Sequence, residues 1–432
     1  MNKINRNWKE VKLGDIGNII TGSTPPTKNK EYFGKDCLFI TPTDYRNCNK
    51  YISNSERGIS ILGIEKLKNR LLPSGSIMVT CIATMGKVLI NKLPAITNQQ
   101  INSIIIDNKK FSADFIYYLL IHNNNKIKSI VSGSAVPILN KKDFSNLVFE
   151  FPPLAEQKRI ASILSALDDK IELDNKTNKI LEEMAQTIFK EWFINFNFPN
   201  EDGKPYKKSG GEMIDSELGK IPKGWKVDII SNFFNVTIGK TPPRKEIECF
   251  SKNCKDTKWV SISDMGNSGL FIVDTSEYLT SEAIKKYNVN IVPQNTVILS
   301  FKLTIGRVSI TSEDMTTNEA IAHFNSDNNF INEYLYFYLK NFNYRVLGNT
   351  SSIAEAINSK IIKSIKIIIP KENTLNKFHN AVFDMFNLIK NNQIENEKLS
   401  NIRDSLLPKL MTPKGRRADG EIRVNGSGNN GV

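Results

Sequence analysis

The sequence predicts an α+β chain in which two pseudo-symmetric, β-rich globular domains are separated by two long antiparallel coiled-coil helices. Three observations predict it. The phrase GSTPP at 22–26 returns as GKTPP at 239–243. The residues around it match in order along both halves of the 432-residue chain. Each half then closes on a stripe of residues at heptad spacing.

The matches establish a tandem duplication rather than two chance turns. Trp8 faces Trp225, Gly22 faces Gly239, Asp44 faces Asp264, Thr97-Asn98 faces Thr317-Asn318, and Pro152 faces Pro370. Separations stay within 217–220 residues. In each half, short apolar runs such as SIMVTCIA and VILSFKL are bounded by Gly, Pro and Asn, so they read as strands joined by turns. A short helix at about 112–123, or 332–341 in the second copy, interrupts them. A last apolar strand ends at a proline, after which the period changes to that of a helix.

The first helical stripe is Ile160, Leu164, Leu167, Ile171, Asp174, Asn178, Leu181, continuing to Trp192. The second, in the same register, is Phe378, Val382, Met385, Ile389, Asn392, Asn396, Leu399, continuing to Leu410. Alternating steps of four and three are a coiled-coil seam. Each stripe spans about 50 Å at 1.5 Å per residue. If the helices pair antiparallel, Asp174 and Asn178 meet Asn392 and Asn396 in a buried polar layer that fixes register. The other reading leaves those four residues facing solvent. Leu173, Ile180, Met184, Phe189, Phe193, Phe386, Leu388 and Ile394 lie off the seams. They call for a further protein surface, unless the globules cover them. The predicted division is 1–152 and 195–374 for the globules (the latter with a linker), 153–194 and 375–411 for the helices, and 412–432 for a tail expected to be disordered.

Charge is unevenly spread over this frame. The net +13 divides into +10 for 1–152, −2 for 153–194, +2 for 195–374 and +3 for 375–432. A block of +10 suits a polyanion partner, whose counterions Lys and Arg displace; an AT-rich coding bias is the alternative source. Five cysteines without framework spacing, an N-terminus without an apolar signal core and the lack of a bilayer-length apolar run point to a cytoplasmic chain.

Catalytic signatures are missing. The GKT at 239–241 lacks the glycine a phosphate loop needs at 234, which is Phe, and Pro242-Pro243 stands where its helix would begin. No Gly-rich dinucleotide fingerprint follows a strand. The Asn-Pro-Pro-aromatic motif of amino-methyltransferases is absent. His122, His323 and His379 have no acidic or cysteine neighbours at ligand spacing, and Cys249-x4-Cys254 has no second pair. No catalytic residue and no metal site are expected.

The stretches LGDIGNIITGSTPP, FPPLAEQKRIASILSALDDKI and WFINFNFPNEDGKPYKKSGGEMIDSELGKIPKGW, with LLPKLM closing the second helix, carry a resemblance covering the chain to about Met411. The chain resembles the specificity (S) subunit of type I restriction-modification enzymes. The second copy departs from the pattern, reading IPKENTLNKFHNAV where PPLAEQKRIASI is expected. The resemblance implies two target-recognition domains, each reading one half of a bipartite asymmetric site in double-stranded DNA. It also implies helices that fix the spacer and dock two methyltransferase (M) and two restriction (R) subunits, with S-adenosylmethionine, ATP and Mg²⁺ belonging to those partners.

Base reading needs loop-borne donors and acceptors beside positive charge. The candidates are Thr24, Lys28, Lys30, Tyr45, Arg46, Thr84, Lys87, Gln99 and Gln100 in the first globule. In the second they are Lys240, Arg244, Lys245, Ser263, Lys302, Thr304 and Arg307. Asp44 and Asp264 suit either turn capping or base reading. Two other classes stay open: a stand-alone duplicated DNA-binding regulator or architectural protein, and a scaffold that binds no nucleic acid.

Overall fold

Runs rich in Ile, Val and Thr become strands because β-branched side chains fit a pleated, half-buried surface. The computed structural model describes residues 8–82, 85–129, 138–326, 328–347 and 357–412. Thr84 and the tail beyond residue 412 lie outside them. In the first globule a five-stranded sheet has the order Gly17–Thr21, Ile101–Ile106, Ile77–Thr80, Val88–Asn91, Tyr51–Ile52. The second repeats it with Asn235–Ile238, Ile321–Asn325, Val297–Ser300, Val308–Thr311, Phe271–Ile272. Neighbours are antiparallel in both sheets except the last, which runs parallel.

A smaller sheet accompanies each. It joins Arg57–Ile59, Phe33–Ile40 and Ala95–Thr97 in the first globule. Phe250–Ser251, Glu277–Leu279, Thr257–Val260 and Thr316–Thr317 form its counterpart. The helices Ala113–His122 and Asn332–Asn341 bury most of their residues in the core of their globule. A two-stranded ribbon, Lys9–Lys12 with Val148–Phe151, brings the ends of the first globule together, and Lys226–Ile229 with Lys366–Ile369 does so in the second.

The long helices are Leu154–Phe189, extended by a π turn over Lys190–Ile194, and Glu372–Met411. Both run through the division of the chain into two compact units. One unit takes the residues up to Glu172 and those from Leu399 on, and the other takes Leu173–Lys398. Each globule therefore rests on segments of both helices.

In the first unit Ile160 and Leu164 are buried with Phe115, Ile116, Leu410 and Met411, while Leu167 and Leu399 are half-buried and Ile171 is buried. Gln157, from the AEQ element, has a local structural role. Its Oε1 accepts the Ser112 amide at 3.0 Å, and its Nε2 donates to the Pro152 carbonyl at 2.9 Å. The second copy has buried Leu375 at the corresponding place, so an apolar contact replaces the polar tie.

The first unit also holds an ionic triad. Asp168, only 6% exposed, accepts from the Tyr118 hydroxyl at 2.5 Å and from Arg403 Nη1 at 2.7 Å. Burial, then the Asp168 charge and hydrogen bond, hold the Tyr118 phenol far above its usual range. At the positions that the duplication matches to these three, the second unit has Phe337, Phe386 and Ala185, all within one apolar core. Phe337 and Phe386 rings stand 5.8 Å apart. The same seat is ionic in one unit and apolar in the other.

In the second unit Phe378, Val382 and Ile389 are buried, with Leu181 and Met385 packed against them. The polar layer here is shifted from the one the spacing predicts. Asn392 Nδ2 donates to Asn178 Oδ1 at 2.8 Å, but Asn396 Nδ2 donates to Asn175 Oδ1 at 3.1 Å rather than to the seam residue Asp174. Asp174 is buried all the same. The order of the pairs makes the helices antiparallel in this unit, and in the other Ile160 and Leu164 share a core with Leu410 and Met411 while Asp168 meets Arg403, which gives the same direction. Of the off-seam residues, Phe189, Phe193 and Phe386 are covered by the second globule's own core. Leu173, Ile180, Met184 and Leu388 remain exposed, and Ile394 is half-buried.

Candidate nucleic-acid interface

The glycine of the duplicated phrase is required by space. A Cβ on Gly22 would lie 2.1 Å from the Asn98 carbonyl oxygen and 2.3 Å from that of Thr97. On Gly239 it would lie 2.0 Å from Thr317 Oγ1 and 2.2 Å from the Asn318 carbonyl oxygen. The opening loop is thereby clamped onto the matched Thr-Asn turn. Ser23 N donates to Thr97 O at 2.8 Å and Lys240 N to Thr317 O at 2.9 Å. A hairpin loop joins the same cluster, through Cys81 N to Gln100 O at 2.8 Å and Phe301 N to Ala320 O at 2.9 Å. Strand register places opening loop, turn and hairpin loop at one end of each five-stranded sheet.

This cluster gathers part of the candidate set. Thr24 Oγ1 donates to Gln99 Oε1 at 2.8 Å, Gln100 accepts from Asn98 Nδ2 at 3.0 Å, and Lys87 is exposed on the hairpin. In the second globule Lys240, Lys302 and Thr304 are exposed around the equivalent loops. Arg307 Nη1 donates to the Ile262 carbonyl at 2.5 Å, which ties the hairpin to the short helix carrying exposed Ser263. Lys28, Lys30, Arg46 and Lys245 are exposed, and among the described residues no side-chain hydrogen bond or ion pair ties them to the cluster.

Tyr45 requires correction. It is 3% exposed, buried among Ile20, Ile40, Ile52 and Leu72, so its ring serves the core and its hydroxyl is out of reach of a base. Asp44 and Asp264 adopt matching capping geometry. Each accepts the amide and hydroxyl of the residue three before it at 2.7–2.8 Å, and the other oxygen accepts the Glu56 or Ser276 amide. With both oxygens so engaged, the carboxylates build the loop.

Two features escape residue-by-residue matching. Arg57 lies over the rings of Phe33 and Phe39, at 4.8 and 5.4 Å. In the second globule the strand position facing Trp259, equivalent to Arg57 facing Phe39, is Glu277. The guanidinium comes instead from Arg244, 4.2 and 4.6 Å over Phe250 and Trp259 and 2.8 Å from Glu277. A cation on an aromatic pair is thus kept in space while its origin in the chain changes. The other feature is Leu303, an apolar residue on the hairpin tip between two polar candidates.

Beneath this end of the second sheet, His323 is fully buried between Thr237 Oγ1 (2.9 Å to Nδ1) and Thr317 Oγ1 (2.7 Å to Nε2). Desolvation lowers its pKa from 6.5 to about 4. Between those values the unfolded chain binds the proton that the folded chain refuses, so stability falls as pH falls. The expected loss by pH 5 is about 2 kcal/mol. His323→Ser, the residue the first copy carries at that register, removes this slope in urea titrations at pH 7 and 5.

Among the described residues no helix is long and apolar enough to cross a membrane, and no cluster of three or more His, Cys, Asp or Glu is arranged to hold a metal. Comparison with known proteins agrees with the duplicated architecture. Residues 5–183 and 222–403 each match the family described as Type I restriction modification DNA specificity domain. The MjaIX specificity subunit of Methanocaldococcus jannaschii is 34% identical over 435 residues, covering 98% of this chain and 95% of that protein. The HindI specificity subunit of Haemophilus influenzae is 25% identical over 354 residues, covering 69% and 76%. Among solved structures, the S subunit of a type I system from M. genitalium aligns over 95% of this chain and 98% of its own, with a TM-score of 0.58 at 15% identity. With both halves matched and a relative similar along nearly its whole length, the chain belongs to the specificity subunits of type I restriction-modification systems.

Proposed function

We propose that this specificity subunit reads a bipartite, asymmetric site in double-stranded DNA, one half-site with each globule, and carries no chemistry itself. The observation that carries the reading is the pair of loop clusters at the same end of two matched sheets. Their frame is shared, through Gly22 and Gly239 on Thr97-Asn98 and Thr317-Asn318. Their side chains differ at matched positions, Ser23, Gln99 and Lys87 against Lys240, Glu319 and Arg307. Different donors on a common frame suit two different half-sites. Exposed lysines beside them supply the salt-dependent phosphate contacts.

The long helices take the second role. Leu173, Ile180 and Met184, at spacings of seven and four, form one exposed apolar face of the first helix, a surface for the methyltransferase subunits. Two methyltransferase and two restriction subunits would bring S-adenosylmethionine, ATP and Mg²⁺, and the helices would fix the spacer. Co-expression with a cognate methyltransferase subunit, followed by mapping of methylated bases, tests this. The expected map is one two-part motif of constant spacer, with binding that weakens steeply as salt rises. Tight specific binding by the subunit alone would favour a regulator, and no DNA binding at all would leave a scaffold.

A further inference from the structure

The most exposed large apolar side chain of the second hairpin is also its most strained residue. Leu303 is 84% exposed and has φ +59°, the left-handed region that a bulky L-residue occupies only at a cost. Among the described residues three other non-glycine residues share that region. Asn288 and Asn295 tolerate it through their short polar side chains. Phe196 is compensated by packing edge-on against Trp225 at 5.7 Å. Leu303 has neither compensation.

The loop beneath it is firmly built. Buried Ser300 donates from its hydroxyl to the Thr304 carbonyl at 2.6 Å and accepts the Arg307 amide at 3.1 Å. The Gly306 amide reaches the Ser300 carbonyl at 3.0 Å, and the Thr304 amide reaches the Lys302 carbonyl at 2.6 Å. These bonds hold the tip in the conformation that turns Leu303 outward, between exposed Lys302 and Thr304. A strained backbone and an unburied leucine each lower the stability of the free protein. Their return has to come from a surface the tip meets, and the flanking cation and hydroxyl suit nucleic acid.

We propose that Leu303 is a sequence-reading residue of the second recognition domain, contacting the C5-methyl group of a thymine in the major groove, with Lys302 on the neighbouring phosphate. The inference rests on the DNA-reading function proposed above. Thymine is the one base that offers an apolar group at a groove edge, and aliphatic side chains read it by contact.

The test uses the full chain in complex with its methyltransferase subunit, on duplexes carrying the mapped site. Each thymine of one half-site is replaced in turn by deoxyuracil, which lacks only the methyl group. At one position the wild type should lose about fourfold in affinity, the worth of one buried methyl, while Leu303→Gly should be indifferent there. Leu303→Gly should also melt no lower than wild type, since it relieves the left-handed strain and uncovers no core. The proposal falls if no thymine position is sensitive, if neither half-site contains thymine, or if Leu303→Gly keeps the wild-type response. It falls equally if the variant loses its methyltransferase partner with base preference unchanged, since the tip would then be a protein contact. Failure of the wild-type complex to bind any specific site would overturn the functional reading itself.

Discussion

Arg403→Ala lowers the stability of the first unit by about 3 kcal/mol, because it strips the counter-charge from a carboxylate that stays buried. Asp168 has two partners, Tyr118 and Arg403. Water does not replace the lost one easily at 6% exposure. The pseudo-equivalent seat of the second unit shows what a compatible alternative looks like, with Phe337, Phe386 and Ala185 in the same roles. The triple variant Tyr118→Phe, Asp168→Leu, Arg403→Ala should therefore recover most of the loss, since exchanging a whole buried ionic group for apolar residues is near neutral. Urea titration of the single and triple variants measures both. A triple variant no more stable than the single would show that the ionic seat cannot be made apolar in this surrounding.

Gly239→Ala is expected to cost roughly 3 kcal/mol, at the upper end for overpacking, since the new methyl group would overlap two backbone carbonyls as well as a hydroxyl. Backbone carbonyls in a strand-linked turn cannot rotate away as a flexible side chain does. The opening loop must therefore move, carrying Lys240 and Thr241 with it. Beyond the fall in melting temperature, the variant should degrade one half-site of the methylation map and spare the other. Gly75 is the control. It has φ +83° but open space beyond its Cα, so alanine there costs only the backbone strain, about 1 kcal/mol.

Much of the architecture was legible because duplication tests itself. A strand or turn read twice, at a constant separation, is hard to mistake, and heptad spacing located both helices. What was lost concerns which side of an element faces what. Tyr45 follows a strand and precedes Arg46 in a polar stretch, and nothing local says that its ring turns into the core. Phe189, Phe193 and Phe386 lie off an ideal seam because that part of each helix packs on a globule as well as on its partner helix. The polar layer moved to Asn175 because real helices meet through more than two columns of residues. The exchange of Arg57 for Arg244 could not be seen by alignment. The two arginines occupy unrelated places in the chain, and only the aromatic pair beneath them is matched.

The division of the chain also has a consequence in time. The second unit is one continuous segment, Leu173–Lys398, whereas the first needs residues from both ends of the chain. On a ribosome, Asp168 emerges with Tyr118 already made but waits for Arg403, 235 residues later. At about 5–20 residues per second that interval is about 12–50 s. The domain translated first is the one completed last, and until then its carboxylate seat stands open to whatever cation the cell supplies.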